Sequence, residues 1–439
     1  MQSLIIFSST LLGIALLWIA LWRPGDRQQT RNQHILVARP PLLQKTLQLA
    51  RVAVLVLLGL AALWSLIASG ALLIQHPLDP ATYDSDAAAF IHYQAEDVLH
   101  GINPYTDQSG FWKAVTQFPN AGATPLQCGQ FSQQSFAPAD TIVSQLVRAY
   151  AQHPDKAGPE FDPASLHSYP AGAFLLAAPF IWAGLPSTQP LYALCLLLLL
   201  FLLLRWSLKE QRWQTLLIFA SLSIAILLTL RSSFEVVCIL CILGAWHSQE
   251  RRAWLSALLL GVGCSVKQLS WLFLPFYLLW VARRAGWRQV CISGILCGLV
   301  FFAINAPFLL ASPAAWASSM VLPITEPAFP GGIGLITLAQ GRWLPVSPAW
   351  VYSGLEIVCY TLLLGWYVAR LFSRKTINDE TFALGAWGLL LPSLPLLLAS
   401  RSLISYTMFL PVLTLTALFQ HHSYQPIISE EAGKFLYDR

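Results

Sequence analysis

Two aspartates separated by one residue, Asp84 and Asp86, follow closely on a long apolar run. In an extended segment, residues two apart project from the same face, so both carboxylates could act on one ligand. One of them could accept the proton of an attacking hydroxyl as a general base. Both could bind a metal ion, if a third ligand that the sequence does not reveal joined them. A structural alternative is that Asp86 is the N-cap of a following helix.

Four cations oppose the charge distribution that is usual in membrane proteins. Most Lys and Arg residues cluster in segments that the positive-inside rule assigns to the cytoplasm. Arg231, Lys267, Arg342 and Arg401 instead fall at the outer ends of apolar runs or in outer segments. Singly, each could pair with an acid or extend to lipid headgroups. Together, on the same side as the two aspartates, they predict a site for an anionic phosphate.

The elements that must position these residues are membrane helices. With 56% hydrophobic and 11% charged residues, the chain does not fit a soluble fold. Runs of about 20 apolar residues can cross a bilayer, and only helices satisfy their own backbone there. We therefore predict an all-α, polytopic membrane protein with about eleven or twelve transmembrane helices. The apolar runs are 2–22, 52–74, 170–186, 190–204, 213–230, 234–247, 254–266, 268–282, 289–311, 349–369, 382–398 and 402–419.

The predicted organisation is a single integral membrane domain over 1–439, with two long outer segments. The first, 75–169, is acidic and includes a predicted amphipathic surface helix from Ala87 to His100. A second surface helix is predicted from Thr141 to Gln152, with Ile142, Leu146 and Tyr150 on its apolar stripe.

The second outer segment, 312–348, is rich in Pro and Gly and cannot be one regular helix. Within it, 333–339 could dip back toward the membrane. The charge rule leaves one net crossing for runs 170–186 and 190–204 together, so either one of them is re-entrant or the rule fails locally. The Pro-interrupted run 170–186 is the candidate for a partial crossing.

Three short motifs resemble the C superfamily of membrane glycosyltransferases, and specifically the family-87 polyprenol-phosphate-mannose-dependent mannosyltransferases. Asp86 followed by Phe90, Tyr93, Gly101 and Pro104-Tyr105 is similar to the first outer segment of those proteins. His167-Ser168-Tyr169-Pro170 resembles the opening of their next helix, and Gly261 to Leu269, containing Lys267, resembles their Gly-x-x-x-x-x-Lys segment. Three features depart from the pattern. Arg231-Ser232-Ser233-Phe234-Glu235 replaces Gly-Gln/Asn-x-Asn, and Gln268-Leu269 follows Lys267 where Pro is common. Asp86 is also slightly farther from Gly101 than in the family pattern.

The resemblance implies transfer of a hexose, mannose favoured, from a polyprenyl-phosphate donor to a hydroxyl of a glycolipid, glycan or protein. Asp86 would be the base, with Asp84 as the alternative. The donor phosphate would be bound by Lys267, Arg231, Arg401 and Arg342, and the substrates by Tyr93, Tyr105, His167, Tyr169 and Gln268. The same residue types also have structural interpretations: tyrosines often form an interfacial aromatic belt, and outer-loop histidines are mostly surface residues.

A monophosphate leaving group requires no cofactor, although the outer acids could hold a structural divalent cation. The resemblance further implies a multi-pass protein of the bacterial plasma membrane, surrounded by lipid, with its site on the extracytoplasmic face and a role in the cell envelope. No feature of the sequence points to nucleic acid. The alternative function is a transporter or flippase for lipid-linked sugars or small molecules, in which the outer charges would line a vestibule.

Overall fold

The computed structural model describes part of the chain, with gaps. The described residues are 56, 60, 63, 67, 70, 71, 74, 82, 83, 85–107, 109–121, 123–135, 137, 138, 140–151, 168–207, 234–249, 251–332, 334–340, 343, 344, 348–373, 384, 385 and 387–402.

Within these residues the protein is all-α apart from one minimal strand pair, as predicted. The α-helices are α1 Asp86–Leu99, α2 Gly110–Gln117, α3 Asp140–Ala151, α4 Gly172–Trp182, α5 Gln189–Ser207, α6 Glu235–Ser248, α7 Ala253–Val266, α8 Leu274–Ala285, α9 Trp287–Ala311, α10 Pro313–Thr325, α11 Ile336–Gln340 and α12 Ala349–Leu371. Strands β1 Gly331–Gly332 and β2 Arg401–Ser402 pair in parallel.

Two helices, α9 and α12, are long and apolar enough to cross a membrane, with 25 and 23 residues and mean hydropathies of 2.2 and 1.3. Their large apolar side chains point outward: Ile295, Leu299 and Leu362 are 65%, 61% and 68% exposed. Such surfaces are stable against lipid rather than water. The predicted runs 289–311 and 349–369 are thus confirmed as helices, while the total number of crossings stays a prediction.

Most other apolar runs that the structure describes are also helical. Runs 190–204, 234–247 and 254–266 correspond to α5, α6 and α7, and run 52–74 is helical at each of its seven described positions. Runs 2–22 and 213–230 lie outside the described residues, as does 402–419 beyond its first residue.

Two apolar runs form less regular helices than the sequence predicts. Run 268–282 begins as a 3-10 helix over Gln268–Phe273 and becomes α-helical only in α8. Run 382–398 contains two short 3-10 helices, Leu391–Ser393 and Pro395–Leu397. Proline lacks the backbone N–H that an α-helix needs, so Pro392 and Pro395 favour these short turns.

Helix α4 is too short to span a bilayer. Its 11 residues are about 16 Å long at 1.5 Å per residue, against a hydrocarbon core of about 30 Å. Its sequence contains Pro179, and Gly184 follows with a positive φ of 78°. This length agrees with the predicted partial crossing of 170–186.

Two glycines allow the central helices to approach closely. A Cβ on Gly172 of α4 would lie 2.5 Å from the backbone oxygen of Ser265, and a Cβ on Gly261 of α7 would lie 2.8 Å from that of Cys297 in α9. No larger residue fits either position without movement of the backbone. Helix α7 therefore packs tightly between α4, α6 and α9, which fixes the position of its C-terminal end.

Helix α1 is confirmed, and it is packed more deeply against the protein than its amphipathic pattern indicates. It packs against α4 and α2, and nine of its 14 residues are buried. Ala88, Ala89 and Ala95 are fully buried, and these small side chains allow helix packing on more than one face. The N-cap is Ser85 rather than Asp86, which is the first helical residue.

Two details of the outer segments also differ from the predictions. In α3 the buried stripe is Val143 and Val147, whereas Ile142 is 47% exposed, so the predicted stripe is one residue out of phase. In the Pro/Gly-rich segment 312–348, the first part is the 13-residue helix α10, which contains Pro323. Helix α11 then buries Ile336 and lies beside the end of the chain's described part, where the Leu335 N–H donates to the Leu397 carbonyl at 2.7 Å.

Candidate functional site

A buried ion pair lies where α6 begins and α7 ends. The Lys267 Nζ is 2.5 Å from Glu235 Oε1, and the two side chains are only 6% and 7% exposed. Helices α6 and α7 are consecutive, pack along each other and are joined by a short turn. Glu235 and Lys267 are equidistant in sequence from Arg251, in the turn. In a helical hairpin, the start of the first helix lies beside the end of the second, so these two residues come together.

Aromatic rings surround the Lys267 ammonium. Its Nζ lies 4.5 Å from the centroid of the Phe234 ring and 5.3 Å from that of Tyr169. The two rings contact each other edge to face, with centroids 4.9 Å apart. Cation–π attraction stabilises an ammonium in this position, and the rings keep water away from it.

Two hydrogen bonds fix the backbone beside Lys267. The Tyr105 hydroxyl donates to the Tyr169 carbonyl at 2.8 Å, and Gln268 Nε2 donates to the Ser168 carbonyl at 2.5 Å. The structure therefore brings together four of the predicted site residues, namely Tyr105, Tyr169, Lys267 and Gln268. We name these four, with Glu235 and Phe234, the Lys267 site.

Asp86 lies at the N-terminus of α1 and is partly exposed. Its Oδ1 accepts the N–H of Ala87 at 2.7 Å, and its Oδ2 accepts the Thr124 hydroxyl at 2.5 Å. Negative charge is favoured in the first turn of a helix. The carboxylate is therefore held in a defined orientation, with partial access to solvent, as a general base requires.

Backbone contacts link the Thr124 segment to Arg401. Leu126 forms an antiparallel bridge with Ala328, and the Gln127 N–H donates to the Pro327 carbonyl at 2.6 Å. Three residues beyond Ala328, strand β1 pairs with β2, which begins at Arg401. The two predicted outer segments thus contact each other, and together they connect the surroundings of Asp86 with Arg401.

A buried polar network anchors the base of α1. The Tyr83 hydroxyl hydrogen bonds with His92 Nδ1 at 2.8 Å and with Thr188 Oγ1 at 3.1 Å, and His92 Nε2 lies 3.1 Å from Glu96 Oε1. Burial lowers the pKa of His92 and raises the pKa of Tyr83 to about 12. Both groups are therefore neutral near pH 7, and the network serves to join α1 to the start of α5.

Tyr93 belongs to a different cluster on α1. The Lys113 Nζ lies 5.2 Å from its ring centroid and 3.6 Å from Asp107 Oδ2. Asp97, 2% exposed, adds a second carboxylate. Burial, reinforced by the charge of Asp107, raises the pKa of Asp97 to about 7.

Four of the predicted site residues lie outside the described part of the chain: Asp84, Arg231, Arg342 and His167. Sequence reasoning did not assign a role to Glu235 or Thr124. The partner of Lys267 could have been found from the symmetry of the α6–α7 hairpin about Arg251. Thr124 carried no such signal, because it is 38 residues from Asp86 in an irregular segment.

No metal site is evident among the residues that the structure describes, since no three His, Cys, Asp or Glu side chains are grouped to hold an ion. The functional groups of the Lys267 site are instead an ammonium, a carboxylate, an amide and aromatic rings. This set suits an anion with an adjoining sugar or apolar chain.

Two helices long and apolar enough to cross a membrane, together with a buried ammonium where α7 ends, are typical of a membrane protein that binds an anion. A family model described as Glycosyltransferase family 87 matches residues 167–400, more than half of the chain. The chain therefore belongs to glycosyltransferase family 87, whose members are membrane proteins. The matched region contains the Lys267 site except for Tyr105, and it begins after Asp86. Neither the curated proteins nor the solved structures include a match.

Proposed function

We propose that this protein transfers a hexose, with mannose favoured, from a polyprenyl-phosphate donor to a hydroxyl acceptor at the extracytoplasmic face. The observation that carries the proposal is the Lys267 site, a buried ammonium among aromatic rings within the part of the chain that matches the family. Membership of a glycosyltransferase family favours this function over the transport alternative.

In the proposed reaction, the acceptor hydroxyl attacks the anomeric carbon of the donor sugar. Asp86 accepts the hydroxyl proton as the new glycosidic bond forms, and the bond between the anomeric carbon and the phosphate oxygen breaks. Negative charge then collects on the departing polyprenyl phosphate. Lys267 stabilises that charge, and Arg401, Arg231 and Arg342 are further candidates for the same role.

The remaining groups suit binding rather than proton transfer. The Tyr169 ring borders the Lys267 ammonium, and Gln268 follows Lys267 in the chain. Both are candidates to contact the sugar or phosphate. Tyr105 orients Tyr169 through its hydrogen bond to the backbone. The exposed apolar faces of α9 and α12 suit the lipid surroundings in which a prenyl chain dissolves. The acceptor is a glycolipid, glycan or protein of the cell envelope, and the reaction needs no metal, because the leaving group is a phosphate monoester.

The function is tested with purified protein, radiolabelled polyprenyl-phosphate mannose or glucose, and membrane extract as the source of acceptor. We expect transfer from the mannose donor, and a loss of about 100-fold or more in Asp86→Asn. Asp84→Asn is the matched comparison, expected to retain most of the activity. Tight binding of the lipid without transfer from either donor would contradict the proposal and favour transport.

A further inference from the structure

The Glu235 carboxylate occupies the place at Lys267 that the proposed function gives to the donor phosphate. We propose that Glu235 and the phosphate exchange at the Lys267 ammonium, so that Glu235 is a positioning residue that sets how tightly the phosphate is held. The inference rests on the proposed function and extends it to a residue at which the sequence departs from the family pattern.

The pair is short and buried. Lys267 Nζ and Glu235 Oε1 are 2.5 Å apart, and both side chains are more than nine-tenths buried. A buried ammonium without a counter-charge is strongly unfavourable, so an anion must accompany Lys267 at every stage of turnover. Glu235 supplies that anion before the donor binds and after the product leaves.

The surroundings favour one anion at a time. The Phe234 and Tyr169 rings line the ammonium at 4.5 and 5.3 Å, and charges interact more strongly in such apolar surroundings than in water. A donor phosphate beside the intact pair would place two anions at the Lys267 ammonium, the one cation among the six residues of the Lys267 site. Repulsion between the phosphate and the carboxylate therefore opposes their simultaneous binding.

Local structure allows the exchange. Lys267 has an extended backbone, with φ −154° and ψ 140°, between α7 and the 3-10 helix, so its side chain is not confined to a helical face. Glu235 lies in the first turn of α6, where the helix dipole stabilises negative charge. The carboxylate thus keeps one favourable interaction when the ammonium turns to the phosphate.

The exchange predicts a gain of affinity from removal of an acid. Without the charge of Glu235, a phosphate no longer competes for Lys267 and binds more tightly. A purely structural salt bridge predicts the opposite sign, because its loss would loosen Lys267 and weaken phosphate binding. The direction of the change therefore separates the two roles.

The test measures the dissociation constant of farnesyl monophosphate for the purified full-length protein, by titration calorimetry in detergent. We expect Glu235→Gln to bind this probe about tenfold more tightly than wild type. Farnesol, which lacks the phosphate, should bind both proteins equally. Glu96→Gln is the matched control, because Glu96 bonds with His92 and Gln117, and its affinity should equal that of wild type.

Unchanged or weaker binding in Glu235→Gln would overturn the exchange. Glu235→Asp retains the charge but shortens the side chain by one methylene, so a smaller gain in affinity is expected. This variant replaces Glu235→Gln if the glutamine variant does not fold. An unchanged affinity in Glu235→Asp would then overturn the inference. Lys267→Met tests separately whether Lys267 binds the phosphate at all. If it leaves the affinity of wild type unaltered, Lys267 does not bind phosphate and the proposed function loses its main support. If it removes binding while Glu235→Gln brings no gain, only the exchange fails.

Discussion

Asp86 is held at both carboxylate oxygens, by the Ala87 N–H and by the Thr124 hydroxyl. A general base must point toward the proton that it accepts, so groups that restrict its rotation contribute to the rate. The sequence predicted Asp86 from its position after an apolar run. The restraint by Thr124 became visible only when the irregular segment that carries it was placed beside α1.

Replacement of Thr124 by valine should lower kcat about tenfold, since the lost hydrogen bond to a charged group is worth about 1.5 kcal/mol or more. Thr124→Ser keeps the hydroxyl and should retain most of the rate. Steady-state kinetics with the polyprenyl-phosphate donor would measure both variants. An equal loss in the serine variant would show that packing of the Thr124 methyl group, rather than its hydroxyl, matters.

Asp97 makes the stability of the outer segment depend on pH. Burial and the charge of Asp107 raise its pKa from 3.8 to about 7, so the folded protein binds a proton that the unfolded chain releases above pH 4. The contribution of the Asp97 carboxyl to the free energy of unfolding is fully present below about pH 4 and is lost as the pH rises through about 7.

Asp97→Asn should therefore reduce the fall in Tm between pH 5 and pH 8. The measurement is thermal unfolding of the purified protein at both values, with wild type alongside. Burial lowers the pKa of His92, so this group contributes to the pH dependence with the opposite sign. The difference between the two proteins is therefore the informative quantity. The same pH dependence in both would show that Asp97 stays ionised throughout.

At the scale of elements, the contact between α7 and α9 depends on Gly261. A Cβ there would lie 2.8 Å from the Cys297 oxygen and 2.8 Å from Val300 Cβ, whereas a Cβ on Gly298 would meet no described atom within 4 Å. Gly261→Ala should destabilise the protein by about 1–3 kcal/mol, because overpacking forces the helices apart.

Gly298→Ala is the matched control and should leave Tm unchanged or raise it, since alanine favours helix by up to about 1 kcal/mol. Thermal unfolding in one detergent compares both variants with wild type. A similar Tm for the two variants would contradict the close packing of α7 on α9.

Hydropathy predicted most described helices because apolar runs in membrane proteins are long and bounded by charges. The sequence pattern of α1 did not show how deeply that helix is buried. Its actual burial depends on alanines that fit against α4, a tertiary property. Lys267 was predicted as a site residue, but its pairing with Glu235 required the geometry of the α6–α7 hairpin.

At the scale of the whole molecule, the charge distribution assigns the two outer segments to one side of the membrane. The bridge between Leu126 and Ala328 supports this assignment, because segments on opposite sides could not pair. The positive-inside rule places the basic segment after α5 on the other side.

Single cysteines at Ser109 and Ser207, in a background without the eight native cysteines, should thus be accessible from opposite sides. A membrane-impermeant maleimide added to intact cells should label Ser109→Cys and leave Ser207→Cys unlabelled until the membrane is opened. Labelling of both from outside would contradict the topology.

In the proposed reaction, Asp86 acts in the chemical step of hexose transfer. The most direct measurement is the single-turnover rate constant for transfer from polyprenyl-phosphate mannose, together with the donor dissociation constant, in wild type and Asp86→Asn. If Asp86 is the general base, the rate constant should fall about 100-fold or more while the dissociation constant changes less than about twofold. An undiminished rate constant in Asp86→Asn would contradict it.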